Sequence, residues 1–142
     1  MAVQLNHTIV SCRDQQASAR FLAQMLGRPE PKPFEPFHVV ELDNGVSLDF
    51  RTTDKPIDIQ HYAFLIGEPE FDAVFGRIQA LGLDYWADPR QTKPGEINRH
   101  DGGRGVYFPS PDGHFLEVIT RPYGSGAPRP TSAEREAMRN EG

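Results

Sequence analysis

His7, His61 and Glu117 are residues of metal-binding type placed at related points of a 142-residue chain. Two neutral imidazoles and one carboxylate converging on a point make a facial set that suits Fe(II), Mn(II), Zn(II) or Ni(II) and leaves coordination positions for water or substrate. Such a set is catalytic in type, because a structural zinc site is closed by four protein ligands. Asp49 is an optional fourth ligand, with Arg51 on the same strand face to pair with it. The single cysteine, Cys12, excludes an internal disulfide and a cysteine metal cluster, so a metal site has to use His, Asp and Glu.

An internal repeat relates these residues. Leu5-Asn6-His7-Thr8-Ile9-Val10 resembles Ile59-Gln60-His61-Tyr62-Ala63-Phe64, each a short apolar, β-branched or aromatic run with His third. A helical pattern follows each. The first carries Ala17, Phe21, Leu22 and Met25 between Asp14 as N-cap and Gly27 as stop, and the second carries Phe71, Val74, Phe75 and Ile78 between Pro69 and Gly82. Gly45-Val-Ser-Leu-Asp49-Phe-Arg-Thr52 then lies over Gly113-His-Phe-Leu-Glu117-Val-Ile-Thr120, which sets Asp49 under Glu117. Each half reads as strand, helix, then two or three strands, and neither closes a core alone.

Strand alternation predicts which side chains share a face. His7 goes with Leu5 and Ile9, His61 with Ile59, Ala63 and Leu65, and Glu117 with Phe115 and Ile119, leaving Leu116 and Val118 to meet a helix. If helices cover one side, both His, Glu117 and Tyr107 project into a cup on the other. The second half is longer: 42 positions separate His7 from Asp49 and 56 separate His61 from Glu117. The extra residues fall in the polar stretch from Asp88 to Gly103, a loop of a length that suits a lid. His38 and His114 read as surface or strand-edge residues, Arg104 as a surface charge or an anion contact, and Phe37, Trp86 and Phe115 as core or pocket wall.

These motifs resemble the vicinal oxygen chelate superfamily, which groups glyoxalase I, fosfomycin-resistance enzymes, extradiol dioxygenases and bleomycin-resistance proteins. The strongest stretch is Gly105-Val-Tyr-Phe-Pro-Ser-Pro-Asp-Gly-His-Phe-Leu-Glu-Val-Ile-Thr120. The resemblance implies an α+β fold of two tandem βαβββ modules, a cup-shaped mixed sheet with helices outside, and a homodimer. It implies His7, His61 and Glu117 as metal ligands, and Tyr107 and His100 as catalytic residues, Tyr107 orienting substrate and His100 serving as acid or base. One domain is expected over 1–122, with module one at about 4–54, module two at about 57–121, and a Pro- and Gly-rich tail over 123–142, where Thr131 and Glu134 form a possible capping box.

Composition bounds the partners. Fifteen Lys and Arg against twenty Asp and Glu give a net charge of −5, so no general basic surface is present for nucleic acid. No apolar run approaches the ~18 residues of a membrane span. Met1 to Val10 lacks a secretory pattern, so a cytoplasmic location is expected. The function expected is a metalloenzyme on a small substrate that chelates through neighbouring oxygens, first an extradiol-type dioxygenase using Fe(II). The alternatives are a glyoxalase-type lyase or isomerase, a fosfomycin-resistance-type thiol transferase, and a non-catalytic drug-binding protein of the bleomycin-resistance kind.

Overall fold

The structure is a computed structural model and describes residues 2–126, so Thr131 and Glu134 lie outside the described residues. The element order is β1 (His7–Cys12), α1 (Gln15–Leu26), β2 (Lys32–Phe34), β3 (Phe37–Glu41), β4 (Ser47–Thr52), β5 (His61–Leu65), α2 (Glu68–Ala80), β6 (Gly105–Pro109) and β7 (Phe115–Ile119), with a 3₁₀ turn at His100–Gly102 before β6. This is the α+β class, and the repeat is visible in it.

The strands form two sheets, ordered β1-β4-β3-β2 and β5-β7-β6. In each, the first strand of the half runs parallel to the last and the last runs antiparallel to the one before it. Register repeats as well: Ile9 stands opposite Asp49, and Ala63 opposite Glu117. The second half has no counterpart of β2 as a strand. Trp86 makes isolated bridges to Pro94 and Tyr107 in its place, because the long loop leaves the ladder after one pairing.

The helices form for the reasons legible in the sequence. The Asp14 side chain accepts the Ala17 N–H, and Gly27 ends α1 in the left-handed conformation at φ 67°. Pro69 occupies the first turn of α2, where its missing N–H costs nothing. Ala19, Leu22, Ala23 and Met25 of α1 and Phe71, Val74 and Ile78 of α2 are buried in one core against Val10, Leu48, Phe50, Phe64, Val106, Phe108, Leu116 and Val118. The two alanines present little bulk where α1 packs. Cys12 lies in the same core, where burial and the nearby Asp112 charge push its thiol up to about 11 and leave it a packing residue.

His114 departs from the surface role expected for it. The ring is buried, accepts the Gln60 N–H at Nδ1 (3.0 Å) and donates from Nε2 to the Ser11 carbonyl at 2.7 Å. It therefore joins the entry to β5 in the second half to β1 in the first. Asp112 adds to the junction by accepting from the Arg13 N–H and the Ser18 hydroxyl. Deleting the imidazole strands a backbone donor and acceptor and leaves a cavity. His114→Ala is expected to cost about 2–4 kcal/mol of folding stability, measured by urea denaturation. A loss below about 1 kcal/mol would show that the junction does not depend on it.

Candidate metal and substrate site

The site is built on the face of the three-stranded sheet away from the helices. Leu116 and Val118 point into the core and Glu117 points the other way, as alternation requires. Tyr107 stands directly opposite Glu117 on β6, and Ala63 stands opposite it on β5, so the small alanine leaves room over the carboxylate. His61, two residues before Ala63, reaches across: its Nε2 lies 3.0 Å from Glu117 Oε1.

Glu117 is 0% exposed, while the His61 side chain is 48% exposed. A carboxylate taken out of water loses several kcal/mol of solvation unless a charge or hydrogen bonds replace it. Among the described residues no Lys or Arg pairs with it. Its compensation comes from His61 on Oε1 and from the Tyr123 hydroxyl on Oε2. The donor set fits a divalent cation. Ligand atoms each about 2.1 Å from one ion and at right angles to one another lie roughly 3 Å apart, the separation seen between Nε2 and Oε1.

Aromatic rings form the wall. His61 stacks on Tyr107 with centroids 5.7 Å apart, Phe115 lies 6.0 Å from Tyr107, and Trp86 lies 5.9 Å from Phe115. Phe115 and Trp86 therefore line the site, whereas Phe37 is on β3 of the other sheet. The Tyr107 phenol is held well above its ordinary range, first by burial, then by its bond to Tyr123 and by the Glu117 charge. The Tyr107 and Tyr123 hydroxyls are 3.0 Å apart. Tyr123 has one proton and gives it to Glu117, so Tyr107 donates to the Tyr123 oxygen and keeps its own lone pairs free.

The other residues singled out lie apart from the pair. His7 is exposed on β1 of the four-stranded sheet, and among the described residues no three His, Cys, Asp or Glu gather closely enough to hold a metal ion. Its Nδ1 meets Asn6 Oδ1 at 2.7 Å, which leaves Nε2 available to a ligand. Asp49 is buried and accepts from the Ser47 hydroxyl at 3.0 Å, and no ion pair joins it to Arg51 among the described residues. His100 is exposed on the 3₁₀ turn of the 88–103 loop. Arg104 is neither a free surface charge nor turned toward the pair: it bonds Glu68 and Asp72 and covers the Phe71 ring.

Tyr123 is the residue that sequence reasoning missed. It sits in a stretch whose Pro and Gly content reads as tail, and the available signal was a lone aromatic six residues after Glu117.

No family model matches the chain. A solved structure described as Oxidase ChaP-H1 is 63% identical, with 87% of this chain and 99% of that chain covered and a TM-score of 0.85. Oxidase ChaP-H2 is 58% identical over 89% of this chain and 100% of that one, with a TM-score of 0.87. Among curated proteins, the Glutathione transferase FosA of Serratia marcescens is 27% identical over 124 residues, 83% of this chain and 81% of that protein.

If the buried carboxylate is a cation site, Glu117→Gln separates its two costs. Glutamine keeps the shape and removes the unneutralised charge, so the metal-free variant is expected to melt no lower than the parent. A divalent ion at a hundred times its Kd is expected to stabilise the parent by about 2.7 kcal/mol and the variant by nothing measurable. Calorimetric melting with and without Mn(II) checks both, and equal metal-induced shifts would remove Glu117 from the site.

Proposed function

The chain belongs to the vicinal oxygen chelate superfamily, and from that premise we propose that it is a divalent-metal-dependent oxidase or oxygenase acting on a small aromatic molecule with two neighbouring oxygens. The observation that carries the metal is the His61–Glu117 pair, a buried carboxylate that has no Lys or Arg partner among the described residues, beside a solvent-accessible imidazole. The names of the two relatives identical at 63% and 58% favour oxidation among the superfamily's chemistries.

In this reading His7, His61 and Glu117 are the ligands, with His7 supplied by a second copy of the chain. Within one chain His7 lies on the other sheet, and β1 and β5 are both edge strands flanking an open groove lined by Leu5, Thr8, Leu48, His61 and Ala63. A homodimer with an isologous contact presents each His7 to the partner subunit's pair. These residues would hold a divalent ion, Fe(II) first, which when bound would supply Lewis acidity toward substrate oxygens and redox chemistry with O₂.

The chain's own residues do the rest. Trp86 and Phe115 offer ring faces to an aromatic substrate, and the tilted stack of His61 on Tyr107 limits how it can lie. Tyr107, with its proton engaged by Tyr123, accepts a hydrogen bond from a substrate hydroxyl and so favours the phenol over a ring without one. His100 is the acid or base assigned to the loop side. A second reading, transfer of a thiol such as glutathione, draws on the 27% identity to the curated transferase over most of the chain.

Two measurements test these assignments. Co-expressing His7→Ala chains with Glu117→Ala chains is expected to restore about a quarter of the parental metal sites, because half the dimers are mixed and each mixed dimer has one intact site. Restoration of none would place all three ligands in one chain, and sites in about half the chains would remove His7, because the His7→Ala chains would then keep their own sites. Oxygen-electrode assays of the Fe(II)-loaded protein with catechols and larger hydroxylated aromatics are expected to show uptake, and His61→Ala is expected to lose at least ~100-fold in kcat/KM. Glutathione conjugation without O₂ uptake would favour the transferase.

A further inference from the structure

Tyr123 has no packing reason to be where it is. Its residue surface is 57% exposed, yet its hydroxyl reaches down to the one carboxylate oxygen that His61 does not touch. The segment around it is fastened from elsewhere. Asp101, in the 88–103 loop, accepts the Gly124 N–H at 3.1 Å and the Gly126 N–H at 3.4 Å through its two carboxylate oxygens.

Asp101 itself has φ 58°, a left-handed conformation that costs an L-residue free energy and persists where surrounding contacts hold it. Gly124, at φ 79°, takes a conformation open to glycine, and a Cβ on Gly126 would collide with the Asp101 backbone. These features converge on one result: the loop and the 123–126 segment are clasped so that Tyr123 stands over Glu117.

We propose that Tyr123 is a positioning residue of the site, occupying Glu117 Oε2 so that Oε1 alone faces His61 and the carboxylate binds a cation through one oxygen. The inference rests on the metal reading above. A carboxylate free at both oxygens can swing to bind through either or both, whereas one held by a phenol is pre-oriented, and partners of this kind are worth about 10–100-fold in metal affinity. The clasp also makes the extra 88–103 loop part of the site's support. Loop residues set where the segment around Tyr123 lies, and in this proposal that segment orients Glu117.

The test uses full-length protein carrying Tyr123→Phe, which keeps the ring, and separately Gly126→Ala, which lifts the segment without touching Glu117. Mn(II) affinity measured by electron paramagnetic resonance titration is expected to fall about 10–100-fold in Tyr123→Phe and in the same direction in Gly126→Ala, with stoichiometry unchanged. The Mn(II) spectrum of both is expected to change as the carboxylate binds through both oxygens. In metal-free protein labelled at tyrosine Cζ, Glu117→Gln is expected to shift the Tyr107 and Tyr123 signals and leave those of Tyr62 and Tyr85 in place. Parental affinity and spectrum in both variants, with the parent binding Mn(II), would overturn the role of Tyr123 alone. A parent that binds no divalent ion would instead overturn the metal reading and this inference with it.

Discussion

A carboxylate with no exposed surface and, among the described residues, no cationic side chain beside it is the constraint around which the second half of this molecule is arranged. Burying Glu117 costs solvation that sheet formation does not return, and hydrogen bonds from His61 and Tyr123 offset it in part. Hydrophobic residues of similar volume would stabilise the same position better. The sheet nevertheless keeps the arrangement exact in its parity: Leu116 and Val118 fill the core on one side, and the acid, the Tyr107 phenol and the His61 imidazole meet on the other. A buried acid held at such a cost is consistent with the binding role proposed for it.

The first half shows what the same register does under different demands. Asp49 occupies the place of Glu117 and Ile9 the place of Ala63, with identical strand pairing. A bulky Ile in place of Ala leaves less room over the acid. Asp is also one methylene shorter, and Ser47 satisfies it from the same strand. The two halves thus share a scaffold and differ in chemistry: one face holds the buried acid with an aromatic wall, and the other carries His7 on an exposed edge strand.

What could be read from residues was the part governed by local periodicity. Alternation gives the faces of β6 and β7, the repeat sets His61 in the place of His7 and Glu117 in the place of Asp49, and Asp14, Gly27 and Pro69 mark helix ends through backbone groups that must be capped. The repeated runs begin at Leu5 and Ile59, whose side chains are of β type, whereas the strands themselves begin at His7 and His61. The features that escaped are long-range. His114 bridges to Ser11, 103 positions away, and an imidazole in a Pro-Asp-Gly turn gives no local sign of burial. Asp101 holds the segment that carries Tyr123 through the backbone amides of Gly124 and Gly126, which leave no side-chain pattern to read.

The placement of His7 follows from the same economy of edges. Each sheet ends in a strand, β1 or β5, with a free row of backbone groups, and apolar side chains at Val3, Leu5, Ile9, Ile59 and Leu65 remain exposed along them. Free strand edges and grouped apolar side chains are costly to leave in water, and a second copy can cover both at once. In the proposed dimer, the contact that covers these edges is also the one that brings a third ligand to the His61–Glu117 pair. Assembly and metal binding would then be linked: an ion bound by ligands from two chains favours the dimer by as much as the dimer favours the ion. Such a site needs no third ligand within its own chain, which is why a half-site with one exposed imidazole and one buried acid is a sensible thing for a single chain to hold.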